Sequence, residues 1–170
     1  MNERLEQLNQ AAKETAEADF LNCCGSQTWA RMMTEARPFA DVAALVNRAE
    51  QIWQNLESQD WLETFAAHPK IGARKAVLHQ SAQSAEWSNA EQSGTQTADS
   101  LRTVLEKANR LYEEKFGFIF IVCATGKSAE EMLDLCRQRL KNHADSEIRI
   151  AADEQRKITE IRLKKLLEIE

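Results

Sequence analysis

Apolar positions recur at three- and four-residue steps between Asp41 and Leu56. Val42, Leu45, Val46, Ala49, Ile52, Trp53 and Leu56 fall on one face of a helix, with polar residues on the other. Pro38 lies just upstream and Asp41 is the expected N-cap. A second helix is expected from Asp60, where Glu63 three residues on completes a capping-box pattern; it carries Trp61, Leu62 and Phe65 and stops before Pro69. The helical period returns from Asp99 through Leu101, Val104, Leu105, Ala108, Tyr112 and Phe116, and Gly117 ends it. Ser128 and Glu131 form another capping box, opening a helix with Met132, Leu133, Leu135, Cys136 and Leu140. The last helix is expected from about Ser146 to the end, with Ile148, Ala151, Ala152, Gln155, Ile158, Ile161, Arg162 and Leu166 near one stripe. Arg162 stands four residues from both Ile158 and Leu166, so its stem points inward with them. An inward guanidinium requires an anion.

Two stretches break the pattern. Ser81 to Ser100 is rich in Ser, Gln, Ala, Asn and Thr, with Trp87 as its one large apolar residue, and reads as a mobile loop holding at most a short helical turn. Phe118 to Cys123 has strand propensities, but no second strand of comparable quality exists to pair with it. It is expected to be a short, extended, buried segment between helices. Its backbone N–H and C=O groups need partners, which either a bound ligand or neighbouring loops can supply.

Composition narrows the class. A chain of 170 residues with 43% hydrophobic and 29% charged residues suits one globular domain. Five glycines and two prolines are too few for an all-β or loop-rich scaffold. The expected fold is all-α: a single-domain helical bundle over residues 1–170, with about seven to nine helices and the one extended segment near 118–123. A net charge of −5 leaves no basic footprint for nucleic acid, so an anionic ligand must be met by a local Arg or Lys. Met1 to Gln10 holds no apolar signal core, no apolar run approaches the ~18 residues of a membrane span, and the C-terminus carries no peroxisomal address. The expected location is the cytoplasm. Cys23 and Cys24 are adjacent and Cys123 and Cys136 isolated in apolar stretches; buried thiols in a reducing compartment are expected, and no spacing suggests a metal.

Few residues are placed for chemistry. His68-Pro69 closes a helix, and the proline prevents the chain from continuing it. His79 sits in a polar stretch and His143 in an expected helix-end loop, so His68 alone combines rigid punctuation with an apolar approach through Phe65, Ala66 and Ala67. A capping or core histidine and a catalytic one both fit this setting. Ser88-x-x-Glu91 is either a capping box or a polar group facing a ligand. No apolar period follows it and Gly94 comes three residues later, which leaves Ser88, Glu91 and Gln92 available to a ligand. Gly-rich phosphate loops, nucleophile elbows and His-Glu metal patterns are absent, and the lysines lie in charged surroundings unsuited to a Schiff base.

Taken together, these marks resemble one family. Phe65-Ala66-Ala67-His68-Pro69-Lys70-Ile71-Gly72 resembles its His-Pro-x-Ile-Gly signature, and Ser88-x-x-Glu91-Gln92 its second motif. Lys115-Phe116-Gly117-Phe118-Ile119-Phe120-Ile121-Val122 resembles the third and Ile161-Arg162-Leu163 the fourth. Cys24-Gly25-Ser26, Trp29 and Arg37-Pro38-Phe39 are similar to its N-terminal block. The family is 2-oxo-4-hydroxy-4-carboxy-5-ureidoimidazoline (OHCU) decarboxylase, and the resemblance runs over nearly the whole chain.

The resemblance implies an all-helical, cofactor-free homodimer that performs the last step of urate breakdown, releasing CO2 to give (S)-allantoin. The implied substrate carries a carboxylate and a hydroxyl on a ring carbon beside a C=N bond, a built-in electron sink. By position, His68 is the implied acid/base group and Glu91 serves the ring-nitrogen side. Ser88 and Gln92 fix the ring and ureido group by hydrogen bonds, and Pro69 belongs to the substrate-binding set. Ile119, Phe120, Ile121 and Val122 offer backbone groups, and Arg162 holds the substrate's negative charge or polarises a carbonyl. Two rival readings stand beside this one. A non-catalytic helical binding module predicts a large exposed apolar groove and no need of His68. Another hydrolase or lyase of the same pathway predicts a site without Ser88-x-x-Glu91-Gln92.

Overall fold

The computed structural model of the chain describes residues 2–71, 82–91 and 99–169. Among these residues there are nine α-helices and no strand: α1 (Glu3–Gln10), α2 (Lys13–Cys24), α3 (Gln27–Glu35), α4 (Val42–Gln54), α5 (Ser58–Ala66), α6 (Ala82–Glu91), α7 (Asp99–Phe116), α8 (Ala129–Arg139) and α9 (Ala144–Leu166). The all-α expectation holds. The chain divides into two compact units, Met1–Thr64 with Arg156–Glu170, and Phe65–Gln155.

In the first unit each helix is delimited by its local chemistry. The Asn2 side chain accepts the Leu5 N–H, Ser26 that of Trp29 and Asp41 that of Ala44, so α1, α3 and α4 all start on side-chain caps. Gly25 ends α2 at φ 88°, in the left-handed conformation where a glycine avoids the Cβ penalty. α2 packs on α3 and α3 on α4. Phe20 meets Trp29 edge-on at 5.9 Å, and the Trp29 indole N–H donates to the Ala49 carbonyl at 3.1 Å, satisfying its one polar atom in the core. The face expected of α4 is the buried one: Leu45, Ala49, Ile52 and Trp53 are in the core.

The second unit is built around an aromatic cluster. Tyr112 of α7 contacts Phe116, Phe118 and Phe120 at 4.6, 5.8 and 5.3 Å, and Phe65 meets Phe118 at 5.3 Å. Gly117 ends α7 at φ 80° and donates to the Glu113 carbonyl, and Ser128 and Glu131 form the expected reciprocal capping box of α8.

Three expectations need correction. Ala82–Glu91 is a ten-residue helix rather than part of a loop. α5 begins at Ser58, not Asp60; Glu63 accepts the Gln27 N–H at 3.3 Å instead of closing a capping box. α9 starts two residues earlier than Ser146, at Ala144. Among the described residues the segment after Gly117 pairs with no strand, as expected, and its strand-forming side chains serve burial: Phe118 and Phe120 through Ala124 are all buried.

Candidate active site

His68 sits two residues beyond α5. Its N–H donates to the Phe65 carbonyl at 3.2 Å, which tightens the turn, and Pro69 stops any continuation. The half-buried ring places Nε2 2.6 Å from Oε1 of Gln155, a residue of α9 with no exposed surface. Behind the turn, Asn109 of α7 donates from Nδ2 to the Ile71 carbonyl at 3.1 Å, and Lys70 pairs with Glu113 one helical turn on at 2.5 Å. α7 thus grips the His-Pro turn at two points. The Asn109 Oδ1 is buried and has no hydrogen-bond partner among the described residues, the costlier half of that contact.

The burial pattern of α6 is the reverse of an ordinary surface helix. Its two buried residues are the polar ones, Ser88 and Glu91, 2% and 9% exposed. Spaced three apart, they share one face, and they lie in the last turn of the helix rather than at its start. The capping-box alternative for this pair is therefore excluded. Gln92 lies outside the described residues, as do Gly72 and His79.

The extended segment is held by side chains. Glu154 Oε2 accepts the Cys123 N–H at 2.7 Å, Lys127 Nζ donates to the Cys123 carbonyl at 2.8 Å, and Arg139 Nη1 donates to the Ile121 carbonyl at 2.6 Å. The backbone groups of Ile119, Phe120 and Val122 take no hydrogen bond from the described residues. Burial raises the Cys123 thiol above its ordinary range, and the carboxylates of Glu154 and Glu91 add to the rise.

These contacts link residues far apart in sequence. Gln155 meets His68, its neighbour Glu154 meets Cys123, and Glu91 lies in electrostatic reach of the same cysteine. Neither Glu154 nor Gln155 was nominated by sequence reasoning, although a fully polar Gln155 on an apolar stripe was a usable signal. Asn109, on the buried face of α7 between Leu105 and Tyr112, carried the same signal.

Arg162 belongs to the first unit. It is 2% exposed, as its inward stem predicted, and its charge acts on the thiols of Cys23 and Cys24. Burial nevertheless dominates there, pushing Cys24 up to about 11 and Cys23 well above the thiol range, so both are neutral. All four cysteines are buried and free. Among the described residues no group of three or more His, Cys, Asp or Glu could hold a metal ion, and no helix is long and apolar enough to cross a membrane.

Comparison with known proteins gives a consistent answer. The family model for OHCU decarboxylase matches residues 9–164, across both units. The chain is 42% identical over 167 residues to the uric acid degradation bifunctional protein TTL of Arabidopsis thaliana, covering 91% of this chain and 48% of that protein. It thus spans about half the length of that relative (48%). It is 25% identical over 163 residues to the 2-oxo-4-hydroxy-4-carboxy-5-ureidoimidazoline decarboxylase of Haloferax volcanii, covering 94% of this chain and 93% of that one. A crystal structure of OHCU decarboxylase in the presence of (S)-allantoin superposes with a TM-score of 0.77 at 37% identity, covering 93% of this chain and 99% of that chain.

Proposed function

The chain belongs to the OHCU decarboxylase family, and from that premise we propose that it converts 2-oxo-4-hydroxy-4-carboxy-5-ureidoimidazoline to (S)-allantoin and CO2. The bond from the ring carbon to the carboxylate breaks, and its electron pair moves into the adjacent C=N. CO2 leaves as a C=C bond forms to the former imine carbon and the imine nitrogen takes up a proton. That neighbouring, ureido-bearing carbon is then protonated from one face while the hydroxyl on the first carbon gives up its proton to become the carbonyl, so one proton is consumed overall. Because the substrate supplies its own electron sink, the protein's task is orientation, desolvation of the carboxylate and stereospecific proton delivery.

The observation that carries this reading is the inward turn of Ser88 and Glu91 on a helix that buries no apolar side chain. Burying a carboxylate and a hydroxyl on such a helix costs free energy that packing does not recover, so the face is kept for polar contacts, among which a polar substrate fits. In the proposed division of work His68 is the acid/base at the ring hydroxyl or carboxylate, and Glu91 assists protonation on the ring-nitrogen side. Ser88 and Gln92 hydrogen-bond the ring and ureido group beside Pro69. The backbone of Ile119 to Val122 meets the planar urea-like edges. Arg162 binds negative charge, a role that rests on the likeness of Ile161-Arg162-Leu163 to the family and on its burial. We take residues 1–170 to work as one domain of this family, as a homodimer in the cytoplasm; a monomer mass of 19.4 kDa by light scattering would remove the dimer.

The test generates the short-lived substrate from urate with the upstream enzymes and follows circular dichroism after the protein is added. Optically pure (S)-allantoin should form faster than the racemic product of spontaneous decay. A product without enantiomeric excess ends the proposal and returns the non-catalytic binding module. In the same assay Arg162→Lys should raise KM with the fold intact, because a point charge cannot replace the planar guanidinium fork. An unchanged KM removes Arg162 from the binding set.

A further inference from the structure

The turn of α9 at Glu154-Gln155 serves the site without belonging to any of the motifs. Gln155 is fully buried, an expensive position for an amide unless its hydrogen bonds matter, and its Oε1 lies 2.6 Å from His68 Nε2. A carboxamide oxygen is an acceptor only, so the ring nitrogen facing it must be the donor. Next to it, Glu154 holds the Cys123 N–H at 2.7 Å. Two consecutive residues therefore brace the histidine and the extended segment.

We infer that Gln155 is a positioning residue for His68, holding Nε2–H so that Nδ1 is the ring nitrogen that takes up and returns the proton. This rests on the acid/base reading of His68. The arrangement suits a proton carrier because Nε2 carries its hydrogen in both the neutral ring and the imidazolium. The anchor to Gln155 therefore persists through the cycle, and the ring need not reorient between accepting and delivering a proton. A carboxylate at the same place would favour the imidazolium and oppose the proton's release. An amide orients the ring without that bias.

The experiment reads the ring protons of uniformly 15N-labelled protein without substrate. With three histidines in the chain, the His68 signals are assigned by their loss in His68→Asn. An imidazole N–H open to water exchanges too fast to be seen, whereas one held by Gln155 gives a correlation on Nε2. That correlation should be present in the parent protein and lost in Gln155→Met, whose kcat should fall roughly 10–100-fold with KM little changed, the effect of misdirecting a group rather than removing it. A ring proton found on Nδ1, or no Nε2 correlation in the parent, overturns the inference even if the variant does not fold. So does a folded Gln155→Met that keeps the correlation or the parental kcat. The ring signal needs no turnover, so a failed decarboxylation assay leaves the hydrogen bond standing, and a missing signal in a protein that makes (S)-allantoin refutes the positioning role alone.

Discussion

His68→Asn and Glu91→Gln should each lower kcat by ~10²–10⁴-fold, the contribution expected of a positioned acid or base, while both variants stay folded. The structure gives reasons to expect the fold to survive. The backbone bond from His68 to the Phe65 carbonyl closes the turn whatever the side chain, and Pro69 remains to stop the helix. Asn109 and Glu113 still grip Ile71 and Lys70 from behind. Glutamine at position 91 keeps the length and branching of the buried glutamate and removes only its charge and basicity. This separates the two readings that His68 admits. A histidine kept for packing or capping predicts a loss of stability with activity following the folded fraction. A catalytic histidine predicts lost turnover at an unchanged urea midpoint. Full activity in a folded His68→Asn would remove the histidine from the chemistry, and the same result in Glu91→Gln would remove the glutamate.

How far the sequence could be read depended on whether apolar burial explained each element. α4 is legible because Leu45, Ala49, Ile52 and Trp53 fill its inner face, and α8 because Ser128 and Glu131 cap it as their spacing predicts. α6 is not legible by that method: its inward residues are Ser88 and Glu91, so the helix exists without an apolar period. The same feature hid the helix and marks the proposed site. Phe118 to Cys123 carries strand propensity, yet its aromatic and branched side chains are used to fill the second unit's core rather than to pair. Glu63 had the spacing of a cap but a different partner, Gln27, which only the tertiary fold could supply. Gln155 and Asn109 stand at inward positions of α9 and α7, and a polar side chain in an apolar stripe is the signal that finds them. Periodicity locates the faces; the polar exceptions on those faces are the residues of the proposed site and its supports.

Breaking the buried ion pair of Arg139 and Glu147 should cost roughly 3–5 kcal/mol of stability, more than any change at the site itself. Arg139 Nε donates to Glu147 Oε1 at 2.6 Å with neither side chain appreciably exposed, Nη2 donates to the Tyr112 hydroxyl at 3.2 Å, and Asn142 donates to Glu147 Oε2 at 2.8 Å. Burial, reinforced by the Glu147 carboxylate, holds the Tyr112 hydroxyl far above its ordinary range, so it stays protonated and donates to Glu147. The guanidinium also lies over the Phe120 ring at 4.7 Å. Glu147→Leu strands the cation, and Arg139→Met strands the anion; either should shift the urea midpoint sharply downward. The double variant should be less destabilised than the sum of the two, because no lone charge is left in the core. Additive losses would show that the two side chains act independently. Function should follow, since Arg139 Nη1 also holds the Ile121 carbonyl at 2.6 Å. The double variant loses that bond too, so it should recover stability while its KM stays raised. A restored KM together with restored stability would mean that the extended segment keeps its shape without Arg139.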